Sequence, residues 1–252
     1  MPQRLMCITA HPDDESGAFG GTLMMAHERG LETAVVCLTE GSAGSHRGGA
    51  RTDEDLGRLR RQEFAAALSV LGVDHGEVLN YPDGRLAQQN FSEIVGRLVE
   101  RIRRFRPQVV LTFGADGSVN RHPDHTIVSC AATTAFHWAG RENFFPEQIA
   151  AGIAPFTPQK LYHSATGFLF NATAEEARRI PLVPASLVHE LGQLRSRKFE
   201  AFSQHKTQAP ILERVRAEFD RVAGVESFLL AASRAMPSSP PETGMFDGIE
   251  EE

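Results

Sequence analysis

The chain has 252 residues, of which 41% are hydrophobic, with a net charge of −6. That length and apolar content suit one large α/β domain, and the acidic balance leaves no basic footprint for nucleic acid. Cys7, Cys37 and Cys130 are too few for a disulfide framework, and no apolar run reaches the ~20 residues that span a bilayer. The chain enters its first strand without a secretory apolar segment, so the reducing cytoplasm is the expected compartment. A homo-oligomer is compatible with this composition.

Leu5–Ala10 predicts a first strand, and Gly20–Arg29 a helix closed by Gly30. Thr33–Thr39 is a β-branched apolar run and predicts a buried strand. A Gly/Ser-rich loop follows from Glu40 to Gly49, either a flap over a site or a plain connection. Asp53–Leu71 carries apolar residues at helical spacing and ends at Gly72. Glu77–Tyr81 predicts a short strand, closed by the turn Pro82-Asp83-Gly84. Phe91–Phe105 predicts a helix, Gln108–Gly114 a strand, and His122 to about Trp138 another helix. Glu142–Pro158 reads as a long loop or lid, in which Phe144 and Phe145 line either a substrate wall or a core. Leu161–Ser164 reads as a strand, and Leu191–Ser203 and Ile211–Ser233 as helices. Pro237–Glu252 reads as an exposed, Pro/Ser-rich acidic tail, leaving a domain over 1–236. The expected fold is a Rossmann-like three-layer α/β/α domain with a mostly parallel sheet and a C-terminal elaboration.

Two motifs carry the chemistry. His11-Pro12-Asp13-Asp14-Glu15 sits where the first strand hands over to a helix. His122-Pro123-Asp124-His125 follows the fourth strand. In a sheet of order 3-2-1-4 those two strands are neighbours across the switch point, where ligands bind. The topology therefore predicts that the motifs meet. Pro123 suits the first helical position, with His122 at the cap and His125 three residues on, on one helix face. His11, Asp14 and His125 are the expected metal ligands, and Asp124 can orient a neighbouring imidazole. Three protein ligands leave a fourth coordination position open, the pattern of a catalytic zinc site. The same donors accept iron(II), so zinc is the first expectation and iron(II) the second. In an extended turn, Asp13 and Asp14 project to different sides, which lets one ligate and the other stand off.

These motifs together resemble those of the LmbE-like family of zinc-dependent de-N-acetylases, related to N-acetylglucosaminyl-phosphatidylinositol de-N-acetylase. Thr39-Glu40-Gly41, Arg60 with Glu63, Pro82-Asp83-Gly84, and Lys198 with His205 and Gln208 extend the resemblance. It implies a Rossmann-like fold and hydrolysis of an acetamide on an amino sugar. It implies Asp13 as general base and His122 as the residue that stabilises the oxyanion and protonates the amine. It further implies that Asp124 supports that imidazole, and that Glu40, Arg60 and Asp83 contact substrate; His205 is either a wall of the site or a surface residue. The expected partner is a small amino-sugar molecule. The alternatives are an amidase acting on a non-sugar or thiol-conjugate amide, and a metal-containing sugar-binding protein without turnover. A dinucleotide site is disfavoured, because Gly17-x-x-Gly20-Gly21 departs from the fingerprint and carboxylates stand where pyrophosphate would lie. No Gly-x-Ser-x-Gly elbow supports a serine hydrolase.

Overall fold

A computed structural model describes residues 3–118, 121–165, 183–234 and 243–249. In chain order the elements are β1 (Arg4–Thr9), α1 (Asp14–Glu28), β2 (Glu32–Thr39), α2 (Asp53–Leu71), β3 (His75–Tyr81), α3 (Phe91–Phe105), β4 (Val109–Thr112) and α4 (Pro123–Trp138). They continue with α5 (Pro146–Ala150), β5 (Lys160–Ser164), β6 (Leu187–Glu190), α6 (Leu194–Ser203), α7 (Ala209–Val222) and β7 (Val225–Ser233).

The seven strands form one sheet of order β3-β2-β1-β4-β5-β7-β6. The first five are parallel, and β7 runs antiparallel to both β5 and β6. Cys7 sits opposite Val35 on one side and Leu111 on the other, at the centre of the core, and Cys7 and Cys37 are both fully buried. Helices α1, α2 and α6 contact one another, and α3 contacts α4. The expected three-layer α/β/α architecture and the order 3-2-1-4 are present.

Local chemistry explains the helix limits. Thr52 caps α2 by accepting from Asp55 N, and Gly72 closes it at φ 74°. Asn90 caps α3 by accepting from Glu93 N. His122 caps α4, with Pro123 at the first turn.

Several segments differ from the sequence expectation, among them β6 (Leu187–Glu190), which the sequence pattern leaves unassigned. The first helix begins at Asp14 rather than Gly20, so Asp14 and Glu15 belong to its first turn. The span 211–233 is not one helix: α7 stops at Val222 and β7 begins at Val225. Leu and Ala in that stretch favour helix, but pairing between β5 and β6 overrides the local preference. The Glu142–Pro158 loop contains the short α5, and Phe144 stacks on Trp138 at 4.0 Å as part of the packing. Residues 243–249 are not an exposed tail. Met245 is buried, and Lys160 Nζ donates to the Asp247 carbonyl at 2.6 Å. The rest of the expected tail, 237–242 and 250–252, lies outside the described residues.

Candidate active site

The parallel sheet delivers the ends of β1 and β4 side by side. After Thr9 the chain turns through His11, Pro12 and Asp13 into α1. Asp13 has φ 133°, a conformation few non-glycine residues adopt. The adjacent carboxylates of Asp13 and Asp14 are thus set apart by backbone geometry rather than by strand-like alternation. The main-chain N–H of Asp13 donates to Glu15 Oε2 at 3.0 Å, and its carbonyl accepts from Gly17 N at 2.9 Å. Its carboxylate accepts from Arg60 Nη2 at 3.0 Å. Asp14 points elsewhere. Its Oδ2 accepts from His11 N at 2.7 Å and Ala10 N at 3.2 Å, while its Oδ1 lies 3.2 Å from His125 Nε2.

On the β4 side, His122 Nδ1 accepts from Asp124 N at 3.2 Å, closing the α4 cap. This contact assigns the ring proton of neutral His122 to Nε2. Asp124 is buried and its carboxylate accepts from Gly84 N at 2.8 Å and Leu86 N at 3.1 Å. Its Oδ2 also lies 3.3 Å from His11 Nε2, and Asp83 Oδ1 lies 3.1 Å from the same nitrogen. Two carboxylates on Nε2 fix the His11 tautomer and leave Nδ1 as the lone-pair nitrogen, 3.6 Å from Asp14 Oδ2.

His125 follows the same logic. Its Nδ1 donates to the Gly117 carbonyl at 3.1 Å, so Nε2 carries the lone pair. That nitrogen is buried and has no hydrogen-bond partner. A lone pair facing a carboxylate oxygen is unfavourable unless a cation lies between them. One nitrogen each from His11 and His125 and one Asp14 oxygen lie within 4.8 Å of one another. Imidazole and carboxylate donors converging on an orphaned nitrogen fit a divalent cation. A second donor set, His11 with His122 and Asp124, shares the same region. It is the poorer candidate, because Asp124 already accepts two main-chain N–H groups and His122 Nδ1 a third.

The electrostatics divide the two aspartates. Burial works against the Asp14 charge, but His125 and His11 outweigh it and hold its pKa well below the usual range. Burial pushes Asp13 up to about 6, with Arg60 opposing and Asp14 adding to the rise. Burial opposes the His11 charge, but hydrogen bonds to Asp124, Asp14 and Asp83 hold its pKa well above the ordinary value, so a cation at Nδ1 would displace a proton there. His122 is lowered by burial and by His11.

The residues expected to contact substrate take different places. Asp83 joins the site: its Oδ2 accepts from Ala43 N at 2.9 Å and so anchors the Gly/Ser-rich loop. Glu40 accepts from Arg61 at 2.7 Å. Arg60 is buried and spends its guanidinium on Asp13 and on the carbonyls of Pro12 and Gly41. His205 is 1% exposed, with Nε2 2.7 Å from Glu15 Oε1, so it is a buried residue and not a surface one. Lys198 is buried and donates to Glu226 at 2.7 Å, and Glu63 accepts from Thr207 N and Oγ1. Glu15 and the Gly117 carbonyl were not distinguishable from sequence. A glutamate in a first helical turn ordinarily reads as a solvated partner of the helix dipole, and a carbonyl carries no sequence signal.

A family model described as PIG-L, GlcNAc-PI de-N-acetylase, matches residues 6–136, which include both motifs. The chain belongs to this family. Among its PIG-L relatives, the chain is 32% identical over 203 residues to a mycothiol S-conjugate amidase of Streptomyces coelicolor, covering 73% of this chain and 67% of the relative. It is 30% identical over 280 residues to a 1D-myo-inositol 2-acetamido-2-deoxy-alpha-D-glucopyranoside deacetylase of Thermobispora bispora, covering 93% and 90%. The structure is similar to that of N,N'-diacetylchitobiose deacetylase from Pyrococcus horikoshii, with a TM-score of 0.74 and 22% identity over 90% of this chain and 83% of that one. It is also similar, with a TM-score of 0.71 and 20% identity over 94% and 99%, to GalB, the 4-carboxy-2-hydroxymuconate hydratase from Pseudomonas putida. The fold is thus shared across different reactions, and function has to be argued from the site.

Proposed function

We propose that this PIG-L family protein is a metal-dependent hydrolase that removes the N-acetyl group from a small molecule containing N-acetylglucosamine. The observation that carries the reading is the buried, unpartnered His125 Nε2 facing Asp14 beside His11. Zinc is the metal we assign, with iron(II) as the second candidate. A cation held by His11, Asp14 and His125 would supply Lewis acidity toward the amide carbonyl and the attacking water.

The remaining chemistry belongs to the protein. Asp13 stands beside the ligand set without belonging to it, and Arg60 fixes its carboxylate. It accepts a proton from water as the water oxygen bonds to the acetyl carbon. The Nε2–H of His122 donates a hydrogen bond to the acyl oxygen as charge develops there. His122 Nδ1 is spent accepting from Asp124 N, and burial lowers its pKa, so we assign the proton that restores the leaving amine to Asp13 rather than to His122. The C–N bond breaks, and acetate and a free amine leave. Asp83 and Asp124 hold His11 in the tautomer that directs Nδ1 to the cation.

The relatives' names supply the substrates to try: a GlcNAc-inositol, diacetylchitobiose and a mycothiol S-conjugate. Acetate is measured after incubation of each with zinc-loaded protein. Acetate release that is abolished by chelation and restored by zinc supports the reading. Cleavage of the S-conjugate amide without acetate release favours the amidase alternative, and binding without turnover favours a sugar-binding protein. Among the described residues no helix is long and apolar enough to cross a membrane. The free, buried Cys7 and Cys37 fit a reducing compartment, and we assign the cytoplasm.

A further inference from the structure

We infer that Glu15 and His205 form a positioning pair that fixes the main chain of Asp13, keeping its carboxylate against Arg60 and away from the ligand set. The inference rests on the deacetylase reading for its kinetic consequence, but its structural content stands apart from it.

Asp13 has φ 133°, a backbone conformation that persists only where surrounding contacts over-determine it. The contact that meets its N–H is Glu15 Oε2 at 3.0 Å. The other oxygen of Glu15 accepts from Ser16 Oγ and faces His205 Nε2, both at 2.7 Å. Both side chains of the pair are fully buried. A carboxylate in such a place needs hydrogen bonds and a partner able to carry positive charge. The chain supplies that partner from 190 residues away, in the link between α6 and α7. His205 Nδ1 is itself buried without a partner, so the ring is poorly satisfied except through Glu15.

The consequence follows from adjacency. Asp13 and Asp14 are consecutive, and Asp14 is anchored by His11 N and Ala10 N. Relaxation of the Asp13 backbone to an ordinary φ would swing its carboxylate relative to Asp14 and break its 3.0 Å contact with Arg60. The polar atoms of Glu15 are spent on the Asp13 amide, Ser16 Oγ and His205, so the pair is assigned a positioning role rather than a catalytic one. They act through Asp13.

The test uses the full-length, zinc-loaded protein and the variants Glu15→Ala, Glu15→Gln, His205→Ala and His205→Gln. Bound zinc, kcat, KM and the hydrogen exchange of the Asp13 amide are measured. Glu15→Ala and His205→Ala should lower kcat roughly 100-fold, because a small displacement of a reacting group has that effect. KM and bound zinc should stay unchanged. Exchange at the Asp13 amide should become roughly tenfold faster or more in Glu15→Ala. Glu15→Gln keeps one acceptor for that amide and should recover part of the rate. In an Asp13→Ala background, adding Glu15→Ala should cost nothing further, since both changes act on one group. The inference is overturned if the Asp13 amide stays protected and kcat is kept in Glu15→Ala. It is equally overturned if Glu15→Ala costs the same factor with and without Asp13. If Glu15→Ala does not fold, His205→Ala carries the comparison: kcat should fall in the Asp13 protein and not further in the Asp13→Ala background, and an equal cost in both overturns the inference. If the unmodified protein releases no acetate, the deacetylase reading fails, and the exchange of the Asp13 amide still decides the pair.

Discussion

Exchanging each of the adjacent aspartates for asparagine should separate catalysis from metal binding. In Asp13→Asn the amide oxygen can still accept from Arg60, and asparagine tolerates a positive φ. The ligand set His11, Asp14 and His125 is untouched, so bound metal should be retained. Loss of a general base costs roughly 10²–10⁴ in rate, or about 3–5 kcal/mol in the barrier. Asp14→Asn behaves in the opposite way. Two N–H groups, from Ala10 and His11, already point at Oδ2, so the new amide oxygen must stay there. The NH₂ then occupies the place of Oδ1, 3.2 Å from the His125 Nε2 lone pair, and donates to it. A hydrogen bond replaces the cation. Metal affinity should fall by more than the roughly 10–100-fold lost on changing an outer partner of a ligand. Because His125 and His11 hold Asp14 ionised, the chelated variant should be no more stable than chelated wild type. The assays are elemental analysis after dialysis, acetate release, and thermal denaturation with and without chelator. An Asp13→Asn protein that loses metal while Asp14→Asn keeps it would refute the assignment of the pair.

Other perturbations probe the scaffold. The buried Arg103 donates to the carbonyls of Ala139, Arg141, Phe144 and Phe145 and to Gln148 Oε1. Arg103→Met should cost about 3–5 kcal/mol and lower Tm by roughly 10 °C in a thermal melt, with KM and metal content unchanged. Gly41 has φ 66°, and a Cβ there would overlap the Arg60 guanidinium. Gly41→Ala should therefore dislodge Arg60 and lower kcat roughly 10–100-fold while zinc stays bound, as measured by acetate release and metal analysis. Burial opposes the charge on His205, but Glu15 outweighs it and raises its pKa above 6.5. The stability this contributes is complete below about pH 6.5 and is lost as pH rises through the higher folded value. Chelated wild type should lose Tm relative to His205→Gln over that rise, and parallel Tm profiles would contradict the charged pair.

Much of the site was legible because its signals are local. The Pro123 turn places His122 at the α4 cap and His125 one turn on, and the expectation held because capping depends on a few consecutive residues. The limits of α2 and α3 followed from apolar spacing and their end residues. The C-terminal third was less legible. Val225–Ser233 has helix-favouring Leu and Ala, and it became a strand only because two strand edges were available to it. Glu226 in that strand is buried because Lys198 and the N–H groups of Gly21 and Thr22 converge on it from other elements.

By itself the sequence determined the alternation of strand and helix, and hence the switch point at which His11 and His125 meet. Those depend on periodicity and on handedness, which short stretches of chain encode. Only the tertiary structure decided which partner each buried polar group takes. Asp124 holds His11 as well as the His122 cap, Arg60 holds Asp13, and His205 holds Glu15. A buried polar side chain must find its hydrogen bonds among whatever packing brings near, and those neighbours come from segments far apart along the chain.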